Sequence, residues 1–328
     1  MSRQTLYFTG PRTVRVREEA IPEPDAGEVL VRTERSAISA GTELLVYRDE
    51  VPDAMSTDET IESLGGTLSY PLQYGYATVG RVIAVGDSVD DSWLDRRVFA
   101  FNPHTSHFVA TPQQLVPTSQ SPEQAVFIPT VETAVNFVMD ARPRIGARIA
   151  IFGQGPVGLL TTALLAEFPL SELLTVDCYE KRRSLSESLG ASRAISPSEI
   201  ATVAAEPDIT FELSGNPKAL DDAIGVTGYA GQILVGSWYG TKDVGLTLGG
   251  EYHRSHLRIQ SSQVSRLDPD HAGRWDKDRR MEYVQSWLSE TDLSALLTHE
   301  LHIDQAADAY QLLENSPNEA VQITFTYD

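Results

Sequence analysis

Residues 148–160 read RIAIFGQGPVGLL, an apolar run of strand length, three glycines, and then an apolar run that continues at helix length. The glycines are Gly153, Gly155 and Gly158, with Pro156 and Val157 between the last two. A strand that enters a helix through this spacing forms a phosphate-binding turn. The first glycine permits the tight turn, the second lets the backbone approach a pyrophosphate, and the third allows close helix–strand packing. The helix N-terminus adds free N–H groups and a positive dipole end. Asp177 ends the next apolar run, Leu173–Val176, 19 residues after Gly158. A carboxylate there accepts hydrogen bonds from an adenosine ribose and repels a 2′-phosphate, so the expected cofactor is NAD rather than NADP. Arg182 either lies along that ribose or pairs with the extra phosphate of NADP. Arg183 is expected on a solvated helix face. The plain alternative is a glycine-rich turn that binds no nucleotide, and the turn and the acid together argue against it.

Outward from this stretch, the rhythm from about residue 130 is strand, helix, strand, helix. Residues 132–140, 157–168 and 181–189 read as helices. Residues 148–152, 173–176, 208–213, 232–235 and 257–260 read as strands. Such alternation predicts an α/β fold with a doubly wound parallel sheet. The first 125 residues differ: short strands at 13–17, 28–35, 80–85 and 97–101, punctuated by Pro22, Pro24 and Gly27. An acidic insertion at 48–70 is expected to be a partly helical surface loop. Near the end, a capped helix at 304–313 and a strand at 321–326 return to the first style. The segment 292–328 is therefore expected to pack back on the N-terminal domain.

The 328 residues carry 46 Asp and Glu against 26 Lys and Arg, a net charge of −20. A nucleic acid would be repelled. No apolar run reaches the roughly 18 residues of a membrane span, and the first residues lack the apolar core of a signal peptide. With Cys178 as the single cysteine there is no intrachain disulfide and no zinc site needing two thiolates. Only Lys181, Lys218, Lys242 and Lys277 are lysines; the other cations are arginines. A carboxylate-rich, lysine-poor surface suits concentrated salt, where self-repulsion is screened.

The chain resembles the medium-chain dehydrogenase/reductases, the zinc alcohol dehydrogenase-like superfamily, over essentially its whole length. The likeness rests on EVLVRTERSAISAG (28–41), GYATVGRVIAVG (75–86), the glycine turn with Asp177, DITFELSG (208–215) and AGQILVG (230–236). GTE at 41–43, GY at 75–76 and SSQVS at 261–265 are closest to the bacteriochlorophyllide-dehydrogenase-like branch. The resemblance implies a GroES-like β-barrel domain at 1–125, completed by 292–328, and a Rossmann domain at 126–291, with a cleft between them. It implies hydride transfer between a nicotinamide and an alcohol, aldehyde, ketone or enone. Cofactor contacts would come from Gly153, Gly155, Pro156, Val157, Gly158, Asp177, Arg182, Ser214 and Gly236. A homodimer or homotetramer acting on a small molecule in the cytoplasm is expected.

The zinc chemistry departs from that pattern. The family's first ligand, a cysteine, reads as Ser39. The histidine and glutamate of its GHE motif read as Tyr76 and Ala77. The third ligand falls near Glu132, and the four-cysteine structural lobe is missing. Catalytic zinc is therefore expected to be absent, with no metal ligands assigned. Something else must then polarise a carbonyl or move an alcohol proton. Tyr76 is the first candidate, with Ser39 and Thr42 as relaying hydroxyls, Glu43 as a base or ion partner, and His104 lining the site. Each has a plain alternative: Tyr76 as a packing aromatic, Ser39 and Thr42 as turn residues, Glu43 as a helix cap. Two other functions compete. One is a metal-dependent dehydrogenase built on Glu43, Glu132 and His104 or His107. The other is a non-catalytic NAD(H)-binding protein.

The charge imbalance yields a direct test. Thermal melts from dilute buffer to multi-molar KCl should show a midpoint that rises with salt, because screening relieves carboxylate repulsion. A flat or falling midpoint would remove the salt-adaptation reading.

Overall fold

The computed structural model describes residues 2–52, 65, 67–202 and 206–327. Most of the acidic insertion at 48–70 lies outside the described residues. The chain divides into two compact units, Met1–Pro129 with Gln285–Asp328, and Thr130–Val284.

The first unit opens with a hairpin of β1 (Ser2–Gly10) and β2 (Thr13–Ala20). Next come β3 (Val29–Ala37), α1 (Ala40–Arg48), β4 (Thr78–Val85), β5 (Arg97–Ala100), β6 (His107–Ala110), β7 (Leu115–Pro117) and α2 (Pro122–Ala125). Helix α3 (Ile128–Ala141) leads into the second unit. There the order is β8 (Arg148–Phe152), α4 (Pro156–Ala166), β9 (Glu172–Val176), α5 (Glu180–Ser188), β10 (Arg193–Ile195), β11 (Ile209–Glu212), α6 (Pro217–Val226), β12 (Gln232–Val235) and β13 (Arg258–Ser261). Helix α7 (Lys277–Glu290) leads back to β14 (Leu297–His302), α8 (Ala306–Asn315) and β15 (Gln322–Thr326) in the first unit.

In the first unit the sheet order is β14-β15-β3-β4-β5-β7, with β6 also paired to β3. Strand β3 breaks register between Leu30 and Val31 and between Thr33 and Arg35, and such irregularities bend a strand so that a sheet can curl. Val29, Val31, Val82, Val98, Phe108 and Leu115 fill the interior. This is the GroES-like barrel. Strand β15 pairs antiparallel with β3, so residues near the C-terminus complete the sheet that carries α1.

The second unit has six parallel strands in the order β10-β9-β8-β11-β12-β13. Counting from β8, this is the 3-2-1-4-5-6 order of a doubly wound fold, whose direction reverses between β8 and β11. Ile149 and Ile151 pack on one face with Phe137, Leu165 and Phe211; Ala150 and Phe152 pack on the other with Leu220 and Ile224. Both faces are covered, which explains the unbroken apolar run RIAIF in place of an alternating strand. Among the described residues, no helix is long and apolar enough to cross a membrane.

One buried ion pair bears on the expected site. Arg280 has no exposed surface and donates to Glu132 Oε1 from Nε (3.1 Å) and Nη2 (2.7 Å). It also donates to Asn136 Oδ1 (2.6 Å) and the Val264 carbonyl (2.8 Å). Glu132, near which the resemblance puts the third zinc ligand, is thus a structural anion on α3. Removing one partner of such a pair leaves a buried charge uncompensated, at a cost of about 3–5 kcal/mol. Arg280→Leu should therefore lower the urea midpoint steeply, more than the double variant Arg280→Leu with Glu132→Gln. Equal midpoints for the two would contradict the pairing.

Candidate active site

The nucleotide-binding turn lies in the second unit, where β8 meets α4 beside β11. Gly153 has φ +91°, and a Cβ there would stand 2.6 Å from the backbone of Ser214. A Cβ on Gly158 would stand 1.9 Å from the Gly153 carbonyl oxygen. A Cβ on Gly155 would meet nothing within 4 Å. Two glycines are therefore required by the protein's own packing, while the third faces open space that a ligand can approach. The N–H groups of the first α4 turn have no intrahelical acceptor, which leaves them for an anion.

Asp177, at the end of β9, is 8% exposed. Its Oδ2 accepts from the Gln154 N–H (2.7 Å) and its Oδ1 from the Tyr179 N–H (2.8 Å). The acid thus pins the glycine turn to the neighbouring strand, a role its spacing does not reveal. Each oxygen keeps lone-pair capacity for a ribose hydroxyl. The Arg182 guanidinium lies over the Tyr179 ring at 4.9 Å. Arg183, expected on a solvated face, instead donates to the carbonyls of Asp177 (2.9 Å) and Cys178 (3.0 Å). It closes the loop around the acid.

At the end of β11 the Glu212 side chain is wholly buried and accepts from Ser214 N–H (2.8 Å), from the Ser214 hydroxyl and from Tyr239 Oη (2.6 Å). Burial first, and then the Glu212 charge, push the Tyr239 phenol far above the usual tyrosine range, so it stays a donor. Ser214, expected to touch cofactor, thus spends its hydroxyl on Glu212. A Cβ on Gly236 would stand 2.3 Å from the Phe137 ring, so its missing side chain is explained by packing against α3. These residues fit a nicotinamide dinucleotide: the 155–158 turn for its pyrophosphate and Asp177 for its adenosine ribose.

The hydroxyl candidates meet in the first unit. Ser39 ends the segment after β3 and is the N-cap of α1, Thr42 lies in the first turn of that helix, and Tyr76 precedes β4. The Tyr76 phenol and the Ser39 hydroxyl are hydrogen-bonded, and Tyr76 Oη donates to Thr42 Oγ1 at 3.2 Å. All three side chains are half-buried, so the cluster reaches solvent.

Glu43 and His104 differ from expectation. Both have no exposed surface, so neither side chain is placed to meet a substrate directly. Glu43 Oε1 accepts from the Ser39 N–H (2.7 Å); Oε2 accepts from Tyr310 Oη (2.5 Å) and lies 3.1 Å from His104 Nε2. His104 Nδ1 lies 2.7 Å from Ser36 Oγ, which is 2.6 Å from Tyr327 Oη. Burial first, and then Glu43, hold the Tyr310 phenol far above its usual range. A tautomer with the proton on Nε2 satisfies every partner: Nε2–H donates to Glu43 and Nδ1 accepts from Ser36. Tyr310 and Tyr327 are site residues that motif reading misses, because α8 and the residue after β15 deliver them from far along the chain; Ser36 lies within the 28–41 stretch, but only the fold shows that it meets His104.

A catalytic zinc does not fit this donor set. The ligand positions hold a hydroxyl and a phenol, both poor zinc ligands when neutral. Glu43 and His104 are engaged with each other, Glu132 is engaged by Arg280, and His107 Nδ1 lies 3.0 Å from Ser106 Oγ. A competing metal site built on these groups would have to take each of them from the partner it already has. Among the described residues, no three His, Cys, Asp or Glu side chains converge as a metal site.

No family model matches the chain. It is 25% identical to D-guloside 3-dehydrogenase of Escherichia coli (strain K12), over 97% of this chain and 95% of that protein. It is 22% identical to L-threonine 3-dehydrogenase of Legionella pneumophila (strain Corby), over 89% of this chain and 91% of that one. Among solved structures, a short chain alcohol dehydrogenase from E. coli CFT073 complexed with NADH superposes with a TM-score of 0.80 at 19% identity, covering 99% of both chains. The 3-2-1-4-5-6 sheet, its glycine turn and the barrel, together with these relatives, place the chain in the medium-chain dehydrogenase/reductase, alcohol dehydrogenase-like superfamily of NAD(P)-dependent oxidoreductases.

Proposed function

We propose that this protein transfers a hydride between NAD(H) and an alcohol, carbonyl or enone substrate without zinc. The observation that carries this is the Ser39–Tyr76–Thr42 hydroxyl cluster, which stands where the family's first two zinc ligands stand. The nicotinamide, when bound, supplies or accepts the hydride. The chain's own part is to hold the substrate oxygen and move its proton. In the reducing direction Tyr76 Oη–H donates to the carbonyl oxygen, and Ser39 Oγ and Thr42 Oγ1 pass a proton back to the phenol. In the oxidising direction the same chain carries the alcohol proton away. Such a positioned acid contributes about 10²–10⁴-fold. The relatives' names denote dehydrogenation at carbon 3 of a guloside or of threonine, which supports a small secondary alcohol as the substrate class. The resemblance further supports a homodimer or homotetramer acting in the cytoplasm.

NAD is the proposed cofactor in preference to NADP, because a 2′-phosphate would meet the Asp177 carboxylate. The turn-pinning role of that acid makes the choice of variant matter. Asp177→Asn keeps an oxygen for one backbone N–H and removes the charge.

Turnover of NAD with a panel of secondary alcohols, before and after dialysis against EDTA, tests the zinc-free reading. Activity should survive dialysis. Loss restored by added zinc would overturn it, and no turnover with any alcohol or carbonyl would favour a non-catalytic NAD(H)-binding protein. Tyr76→Phe should lower kcat about 10²–10⁴-fold with a small change in KM; an unchanged kcat would remove the tyrosine role alone.

Cofactor titration tests the second choice. The unmodified protein should bind NADH about tenfold to hundredfold more tightly than NADPH, the effect of about 1–3 kcal/mol from one such contact. Asp177→Asn should narrow that ratio. Tighter NADPH binding in the unmodified protein would reverse the assignment.

A further inference from the structure

We infer that His104 is a positioning residue that ties the Ser39 and Tyr76 segments together, taking the joining role that a metal ion has between these two positions in the family. The inference rests on the hydroxyl cluster being the reacting centre.

A bound metal does two things for a site: it polarises a substrate, and it holds ligands from distant segments at one point. Ser39 and Tyr76 are hydrogen-bonded although 37 residues separate them. The β3–β4 ladder brings the two segments side by side as far as the Ala37 N–H to Ala77 carbonyl bond at 2.9 Å, and neither hydroxyl pair fixes where the chain goes beyond it. Past that bond, the imidazole of His104 meets Glu43 of α1 on one side and Gly75 on the other. On one side its Nε2 meets Glu43, and the other oxygen of Glu43 holds the Ser39 N–H at 2.7 Å. On the other side the ring lies flush on Gly75, the residue before Tyr76. Gly75 has φ +116°, and a Cβ there would stand 2.7 Å from His104 Cδ2 and Nε2. No other residue type fits that contact, so the glycine of the GY pair is explained by the imidazole.

His104 is itself fixed from four directions. Its Nδ1 meets Ser36 on β3, three positions before Ser39, and its ring stands edge-on to Phe325 on β15 at 5.2 Å. Its carbonyl accepts from the Leu6 N–H of β1 at 3.0 Å. Thr105, next in sequence, gives its carbonyl to Thr33 Oγ1 at 2.6 Å. A wholly buried ring held this way cannot touch a substrate. Its influence passes through where it puts Ser39 and Tyr76, and displacements of about 1 Å at a reacting group can cost on the order of 10²-fold in rate.

The test reads Tyr76 without any substrate. Protein labelled with 13C at tyrosine Cζ gives a Tyr76 line, assigned by its loss in Tyr76→Phe. His104→Leu, which removes both contacts, should shift that line or split it while the far-UV circular dichroism stays native. His104→Gln, which keeps an N–H within reach of Glu43, should restore most of the native line. With an alcohol that is turned over, kcat should follow the same order while KM changes less than about twofold. If His104→Leu fails to fold, His104→Asn serves: it keeps a partner for Ser36 and loses the Glu43 contact and the ring on Gly75. A native Tyr76 line in folded His104→Leu or His104→Asn overturns the inference. A shifted line in an enzyme indifferent to Tyr76→Phe would instead remove the proposed role of Tyr76 and leave the positioning intact.

Discussion

A carboxylate with no exposed surface is tolerated only where donors meet it, and the first unit is arranged around meeting one at Glu43. Its donors come from the Ser39 backbone, the His104 ring and the Tyr310 hydroxyl, so the N-cap of α1, the segment after β5, and α8 all converge on one side chain. Tyr310 in turn stacks on Tyr47 of α1 at 5.3 Å and meets Phe8 of β1 edge-on at 5.2 Å. The anion therefore joins the hairpin, the helix that carries Thr42, and the C-terminal helix. The hydroxyl cluster is built on the exposed side of this buried frame.

The second unit depends on a different constraint, the near-contact of two strand ends. Gly153 and Ser214 approach so closely that no Cβ fits between them, which places the glycine turn against the end of β11 where the strand order reverses. Buried acids tie down both ends: Asp177 holds Gln154 inside the turn, and Glu212 holds Ser214. Acidic residues at strand ends here serve backbone N–H groups first, and any contact with a ligand is added to that duty.

The elements with local signals were legible in the sequence. Strands β8 and β12 stand at 148–152 and 232–235 as their apolar runs indicate, and the glycine turn stands between β8 and α4. The substitution of hydroxyls at the family's zinc positions was readable, and these hydroxyls do meet. The rest depended on long-range pairing. β1 (SRQTLYFTG) and β14 (LTHELH) are polar mixtures whose strand character comes from partners, β2 for one and β15 for the other. Helix α7 is charged along much of its length and is anchored through Arg280, Val284 and Leu288, a pattern too sparse to stand out. Glu43 and His104 read as groups facing a substrate because their residue types suit that chemistry. Only the fold shows that they face each other, joined by Tyr310 from 267 residues away.

On the reading proposed above, a buried Glu43–His104 pair and a hydroxyl cluster occupy the place of a metal site. Crystals grown with NADH and a molar excess of zinc, measured on both sides of the zinc absorption edge, test it most directly. No anomalous peak is expected within coordination distance of Ser39, Tyr76, Glu43 or His104, with the imidazole still bonded to Glu43. A tetrahedral zinc bound by His104 or Glu43, with the pair broken to receive it, would show that the site is a metal site after all.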